Sequence, residues 1–232
     1  MFDVLGKCIP EDHCRQVEAT YFLPRSLSGG RAKLLDHGCG AGGMKGWIEK
    51  NGYTVDYYGV DIESSPEVAK RPQELNELSC MFSFDGIELP FEDNFFDIVY
   101  SNTVFEHVRY PEKALDEIYR VLAPGGELMV NFAYLYPYHS YSIYNITPYG
   151  WFTILEDHGF ELLEMRPGID GIASIIRGYN FGHERFTKWF SSSPFHRVIE
   201  RQGRQRNLTV KQINMRKIMN AGVICSYAVK NL

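Results

Sequence analysis

Leu34 to Gly43 reads LLDHGCGAGG, two apolar residues and an acid running into a glycine-rich turn. Glycines directly after a buried strand let the backbone turn sharply and approach a ligand with no Cβ in the way. Gly38, Gly40 and Gly43 have the G-x-G-x-x-G spacing that cradles a dinucleotide pyrophosphate. Gly38, Gly40 and Gly42 equally have a G-x-G-x-G spacing, with Asp36 two residues upstream. The acid separates the two readings. A carboxylate beside helix N-terminal N–H groups repels phosphate, whereas a ligand carrying an ammonium and a sulfonium gains from it.

Outward from this turn, periodicity alternates between strand and helix. LLDHG reads as a short buried strand and MKGWIEKNG as a helix closed by Gly52. DYYGVDI, CMFSFDG and FFDIVYSN read as three further strands. PEKALDEIYRVL is a helix with Pro111 at its start and Leu115, Ile118, Tyr119 and Leu122 on one face, ended by Pro124-Gly125-Gly126. ELMVNFAY follows as a strand, Thr147 as the N-cap of PYGWFTILEDH, and Gly159 as its stop. FELLEMR and AGVICSYAVK are closing strands. Upstream, residues 11–23 carry helix-like spacing that ends before Pro24. Strands and helices alternating in this way predict a parallel sheet with helices on both faces and ligands at the carboxyl ends of the strands.

Three acids fall at such ends. Asp36 closes the first strand. Asp61, followed by Ile62, closes the second, where a carboxylate takes both hydroxyls of a ribose. Asp85, followed by Gly86, comes after the third, where it accepts from an adenine amino group, and Ser101 and Asn102 end the fourth. The ordered set Asp36-His37-Gly38-Cys39-Gly40-Ala41-Gly42, Asp61, Asp85 before Leu89-Pro90-Phe91, Phe96-Asp97 with Glu106-His107, and Arg120 to Gly126 resembles the successive motifs of class I S-adenosylmethionine-dependent methyltransferases. The likeness is greatest to the broad type 11 small-molecule and glycan group, over about residues 30 to 166.

The resemblance implies a Rossmann-like three-layer sandwich with a mainly parallel seven-stranded sheet, its last strand antiparallel. It implies S-adenosylmethionine as cofactor and S-adenosylhomocysteine as product. Gly38, Gly40 and Gly42 would line the methionine part with Asp36 near its amino group, Asp61 and Ile62 the ribose, Asp85 and Gly86 the adenine, and Ser101 and Asn102 the sulfonium. His37 departs from the apolar residue usual there. Cys39 reads as loop filler and Glu106 as a structural group.

In-line displacement at a sulfonium methyl needs the nucleophile held near contact distance, and an alcohol nucleophile needs a base within hydrogen-bond reach. Histidine titrates near neutrality. His139, in the aromatic loop AYLYPYHSYS after the fifth strand, is the first candidate, and His107, after the fourth, is the second. Tyr136, Tyr138, Tyr141 and Tyr144 offer faces on which a sugar or ring stacks. The expected reaction is O-methylation of a small molecule or surface-glycan precursor. N- or C-methylation, a non-catalytic cofactor-binding scaffold and a nicotinamide oxidoreductase are the alternatives. No acid and histidine spacing resembles a metal-dependent catechol site, so no metal is expected.

With 232 residues and 44% hydrophobic content, the chain forms one domain. Residues 1–33 are an N-terminal helical segment, 34–166 the cofactor core, 167–220 a basic helical insertion and 221–230 the closing strand. From Arg177 to Lys217, ten Lys or Arg stand against two acids, net +8, leaving −13 elsewhere. That insertion is read as a lid on an anionic acceptor, as a membrane-surface contact through 183–217, or as a packed helical face. The acidic body argues against a nucleic acid partner. Five scattered cysteines without C-x-x-C spacing, and an N-terminus without a signal-peptide pattern, point to reduced thiols in a cytoplasmic protein. Contact with the inner membrane face remains open in that reading, as does the oligomeric state.

Overall fold

The computed structural model describes residues 2–180 and 183–231. Seven strands form one sheet: β1 (Ala32–His37), β2 (Val55–Ile62), β3 (Met81–Phe84), β4 (Phe96–Asn102), β5 (Leu122–Ala133), β6 (Phe160–Pro167) and β7 (Val223–Lys230). Their order is β3-β2-β1-β4-β5-β7-β6. The β1, β2, β3, β4 and β5 pairings are parallel, and β7 runs antiparallel between β5 and β6. This is the expected Rossmann-like sheet.

Short helices α1 (Phe2–Leu5) and α2 (Leu23–Leu27) precede the sheet. Helices α3 (Gly43–Lys50), α4 (Gln73–Asn76), α5 (Pro111–Val121) and α6 (Pro148–Asp157) alternate with its strands. Helices α7 (Gly171–Tyr179), α8 (Pro194–Gln205) and α9 (Val210–Met219) form the insertion before β7. No helix among the described residues is long and apolar enough to cross a membrane.

Period-two alternation along the strands builds the two apolar layers. Leu35, Val99, Leu128, Val130 and Ile224 face one side, against Ala114, Leu115, Ile118 and Val121 of α5 and Trp151, Phe152 and Leu155 of α6. Leu34, Ile98, Met129 and Cys225 face the other, against Phe22, Leu23, Met44 and Ile48. Trp151 is fully buried and its Nε1 donates to Ser226 Oγ at 2.9 Å, tying α6 to β7. Thr147 caps α6 as expected, accepting from the Gly150 N–H at 3.0 Å.

Two local expectations are corrected. Residues 11–23 are not a helix. Their backbone groups are taken by distant side chains: Asn214 accepts from the Cys14 N–H and donates to the Pro10 and Asp12 carbonyls, and Lys217 donates to the Cys14 carbonyl at 2.6 Å. The Val17 N–H adds a bond to the Pro167 carbonyl, so residues 11–18 are held against the insertion and the end of β6, ahead of a short turn at Ala19–Tyr21 and of α2. Pro124-Gly125-Gly126 does not end α5 either. The helix stops at Val121 because Leu122 turns extended and pairs with Phe96. The glycines instead let β5 loop out before it pairs again at Glu127 with Ile98.

Candidate active site

The glycine turn leaves β1 and enters α3. Gly38, Gly40 and Gly42 all have positive φ, and Gly42 is crowded, a Cβ there lying 2.8 Å from Leu75 Cδ1. Gly43 has ordinary φ, is the first residue of α3, and a Cβ there meets nothing within 4 Å. The turn therefore demands the G-x-G-x-G set and leaves Gly43 free to vary, which disfavours the dinucleotide reading.

Beneath the turn, Asp36 is 3% exposed and accepts from the Tyr57 hydroxyl at 2.7 Å. Burial pushes its carboxyl up to about 7, with that hydroxyl holding it partly down. Asp61 reaches back from β2, accepting from the Gly40 N–H at 2.7 Å and the Ile62 N–H at 2.8 Å. Burial raises its pKa and these two bonds oppose the rise. Asp85 accepts from the Ile87 and Glu88 N–H groups, which lower its pKa. It lines a shallow cavity with Ile62, Glu63, Ser64, Ser83 and Phe84. The segment after β2 folds over the turn, Arg71 donating Nε to the Gly40 carbonyl at 2.7 Å.

These residues fit S-adenosylmethionine. The buried carboxylate under the turn suits an ammonium, the β2 carboxylate a ribose, and the cavity edged by Ile62, Phe84 and Asp85 a flat base. A cationic amino group binds the ionised form of Asp36, so its affinity is constant well above pH 7. Below pH 7 it falls, toward tenfold per pH unit as the carboxylate protonates. Calorimetric titration with S-adenosylhomocysteine from pH 5.5 to 8.5 should show this slope, and Asp36→Asn should flatten it while weakening binding throughout.

Ser101 departs from its expected place. It is fully buried with Oγ 3.2 Å from His37 Nδ1 and lines neither cavity. His37 itself is buried between Phe84 and Phe105, and burial drops its pKa to about 4, so it stays a neutral packing residue. Tyr100, Asn102 and Thr103 reach a second cavity at the end of β4.

That second cavity, about 370 Å³, opens over the ends of β4 and β5. Its polar lining includes Glu18, Asn102, Asn131 and His139 with the buried Glu106, and its apolar lining Val17, Ile169, Phe190 and Val223. Val104, next in sequence to the lining residue Thr103, has its side chain beside Gly38 of the glycine turn. Asn131 donates Nδ2 to Asn102 Oδ1 at 2.9 Å, fixing both amides. Of the four candidate tyrosines, Tyr136 lines the cavity and packs on His139 with ring centroids 5.1 Å apart. Tyr138 and Tyr141 stand exposed, and Tyr144 donates to the Arg109 carbonyl at 2.6 Å.

His139 and His107 do meet, their rings 5.2 Å apart and nearly perpendicular. His139 Nδ1 lies 3.1 Å from the Pro137 carbonyl. A carbonyl only accepts, so the proton sits on Nδ1 and the Nε2 lone pair is free. That Nε2 is 3.7 Å from Glu106 Oε1. Burial lowers the pKa of His107, the neighbouring His139 adding to the effect.

Glu106, read from sequence as structural, is fully buried, and neither carboxylate oxygen has a hydrogen-bond partner among the described residues. Burial lifts its pKa to about 7; the backbone N–H groups of Glu106 and Ala133 lie near enough to ease that rise but not in hydrogen-bonding geometry. Its carbonyl accepts from the Ile143 and Tyr144 N–H groups, anchoring the aromatic loop over the cavity. Phe190 is among the aromatics of the basic insertion, whereas Asn131, Ile169 and Val17 were not singled out in the sequence. They come from β5, the insertion and the N-terminal segment, and no motif joins them.

Residues 35–130 match the family model described as a methyltransferase domain. The ubiquinone/menaquinone biosynthesis C-methyltransferase UbiE of Neisseria gonorrhoeae is 37% identical over 101 residues, covering 42% of this chain and 41% of the relative. Phosphoethanolamine N-methyltransferase 3 of Arabidopsis thaliana is 25% identical over 186 residues, covering 72% and 37%. The chain thus spans less than half the length of these curated relatives. Among solved structures, an S-adenosylmethionine dependent methyltransferase from Mesorhizobium loti superposes with a TM-score of 0.56 at 14% identity, covering 91% of this chain and 98% of that one. At that identity the likeness is one of fold.

Proposed function

We propose that this chain, which carries a class I S-adenosylmethionine-dependent methyltransferase domain, methylates a hydroxyl group of a small molecule or glycan precursor. The cofactor supplies an electrophilic methyl group on sulfur. The observation that carries the hydroxyl assignment is His139 in the cavity lining with its Nδ1 3.1 Å from the Pro137 carbonyl and its ring packed on Tyr136, an arrangement that leaves Nε2 to accept a proton. His139 takes the hydroxyl proton as the acceptor oxygen takes the methyl group, and Asn102, Thr103 and Asn131 orient the acceptor by hydrogen bonding. Val17, Ile169, Phe190 and Val223 keep water from its other side.

The basic insertion supports an anionic acceptor, against the acids Glu18 and Glu106 of the cavity lining. Phe190 lines the cavity and Arg177 stacks on it at 4.6 Å with its buried Nε unpartnered, while Arg185 and Lys188 stand exposed nearby in sequence. A membrane-bound acceptor is a second reading, supported by exposed Ile172, Ile175 and Tyr179 along α7. The test is methyl transfer from labelled cofactor to a panel of phosphorylated sugars, nucleotide sugars, phenols and matching amines, with products read by mass. O-methyl products, strongest among the anionic acceptors, are expected. Transfer to amines alone would overturn the hydroxyl assignment.

A further inference from the structure

Glu106, His107 and His139 each offer one ligand atom, and these atoms lie within 4.8 Å of one another. The two histidines come from different loops, after β4 and after β5, so no spacing along the chain reveals the group. Buried carboxylates are ordinarily hydrogen-bonded, paired or bound to a metal. Glu106 is fully buried with both oxygens unpartnered among the described residues. Its separation of 3.7 Å from His139 Nε2 is too long for a hydrogen bond. It is close to the span of two metal–ligand bonds of about 2.0–2.2 Å. His139 also has the outer contact typical of a metal-bound imidazole, its other ring N–H donated to a backbone carbonyl.

We propose that Glu106, His107 and His139 hold one divalent transition-metal cation, with its remaining positions open to the acceptor. Two imidazoles and one carboxylate, with open positions, form a set that suits zinc, iron, cobalt or manganese. This rests on the reading of the cavity as the acceptor site, since Glu106 and His139 line it. With the cation in place His139 Nε2 is a ligand. An acceptor hydroxyl bound to the cation becomes more acidic and releases its proton to water, which replaces the proton transfer to His139.

The test titrates Co²⁺ into untagged, chelator-treated protein, followed by visible absorption and by metal analysis after dialysis. S-adenosylhomocysteine binding is measured on the same samples by calorimetry. One Co²⁺ per chain, displaceable by Zn²⁺, is expected. Glu106→Gln and His139→Asn should each weaken it at least tenfold while leaving the circular dichroism spectrum and S-adenosylhomocysteine binding intact. Absence of stoichiometric uptake, or uptake equal in both variants, by protein that still binds S-adenosylhomocysteine would overturn the cation site and leave His139 as base. Uptake lost in both variants, by protein that binds no S-adenosylhomocysteine, would uphold the cation site and strike the cofactor reading instead.

Discussion

Gly38→Ala is expected to reduce S-adenosylhomocysteine affinity at least 100-fold, whereas Gly43→Ala, five residues on, should leave it unchanged. Gly38 has φ +74°, and a Cβ there lands 2.3 Å from Val104 Cγ2 and 2.8 Å from Cγ1. The left-handed backbone costs a residue with a Cβ roughly 1–2 kcal/mol. Relief of the clash must come from Val104 or from the turn itself. Val104 lies between Thr103, which lines the acceptor cavity, and the buried Phe105, so the turn yields and carries its N–H groups away from the ligand. A hundredfold loss corresponds to about 2.7 kcal/mol, within reach of these two effects together. Gly43 meets neither obstacle, and alanine there is a good first residue for α3. Calorimetry on both variants, with melting curves to verify folding, checks the contrast. Equal losses would return the dinucleotide spacing to contention.

His139→Asn should lower kcat by roughly 10²–10⁴, or about 2.7–5.5 kcal/mol of barrier, the range for losing a positioned acid–base group. The KM for S-adenosylmethionine should hardly move, because His139 lies over the end of β5 and not over the glycine turn. The ring is about one-third exposed, with a side-chain exposure of 32%, so its replacement leaves the core intact. His107→Asn should cost less, since His107 is not among the residues that line the cavity. Single-turnover transfer to the best acceptor of the panel separates the chemical step from product release. Full activity in His139→Asn would remove both the base and the cation reading of that residue.

The parts of this molecule legible in the sequence are those written locally. Each strand of the core carries its own apolar run, and each cofactor acid closes a strand, so Asp36, Asp61 and Asp85 are found by position along the chain. Thr147 and Gly159 mark the ends of α6 through contacts within a turn or two. What stayed hidden depends on residues far apart. Residues 11–23 have helical spacing, but Asn214 and Lys217 claim their backbone groups from some 200 positions away. Ser101 sits at a strand end like Asn102, yet successive side chains of a strand point to opposite faces, and the buried His37 draws Ser101 inward. Glu106 looks like any acid near a helix start until its burial is known. Asn131, Phe190, Ile169 and Val17 become neighbours only when β5, the insertion that begins after β6, and the N-terminal segment close on one another.

The central claim is that the turn at 34–43 and the acids beside it bind an adenosyl cofactor. Calorimetric titration of the protein with S-adenosylhomocysteine, with NADH as comparison and Asp61→Ala as control, tests it most directly. Micromolar one-to-one binding of S-adenosylhomocysteine, lost in Asp61→Ala and not matched by NADH, is the predicted result. A well-folded protein that gives no heat with S-adenosylhomocysteine would contradict the account, and binding of NADH in its place would turn the glycine turn back into a dinucleotide site.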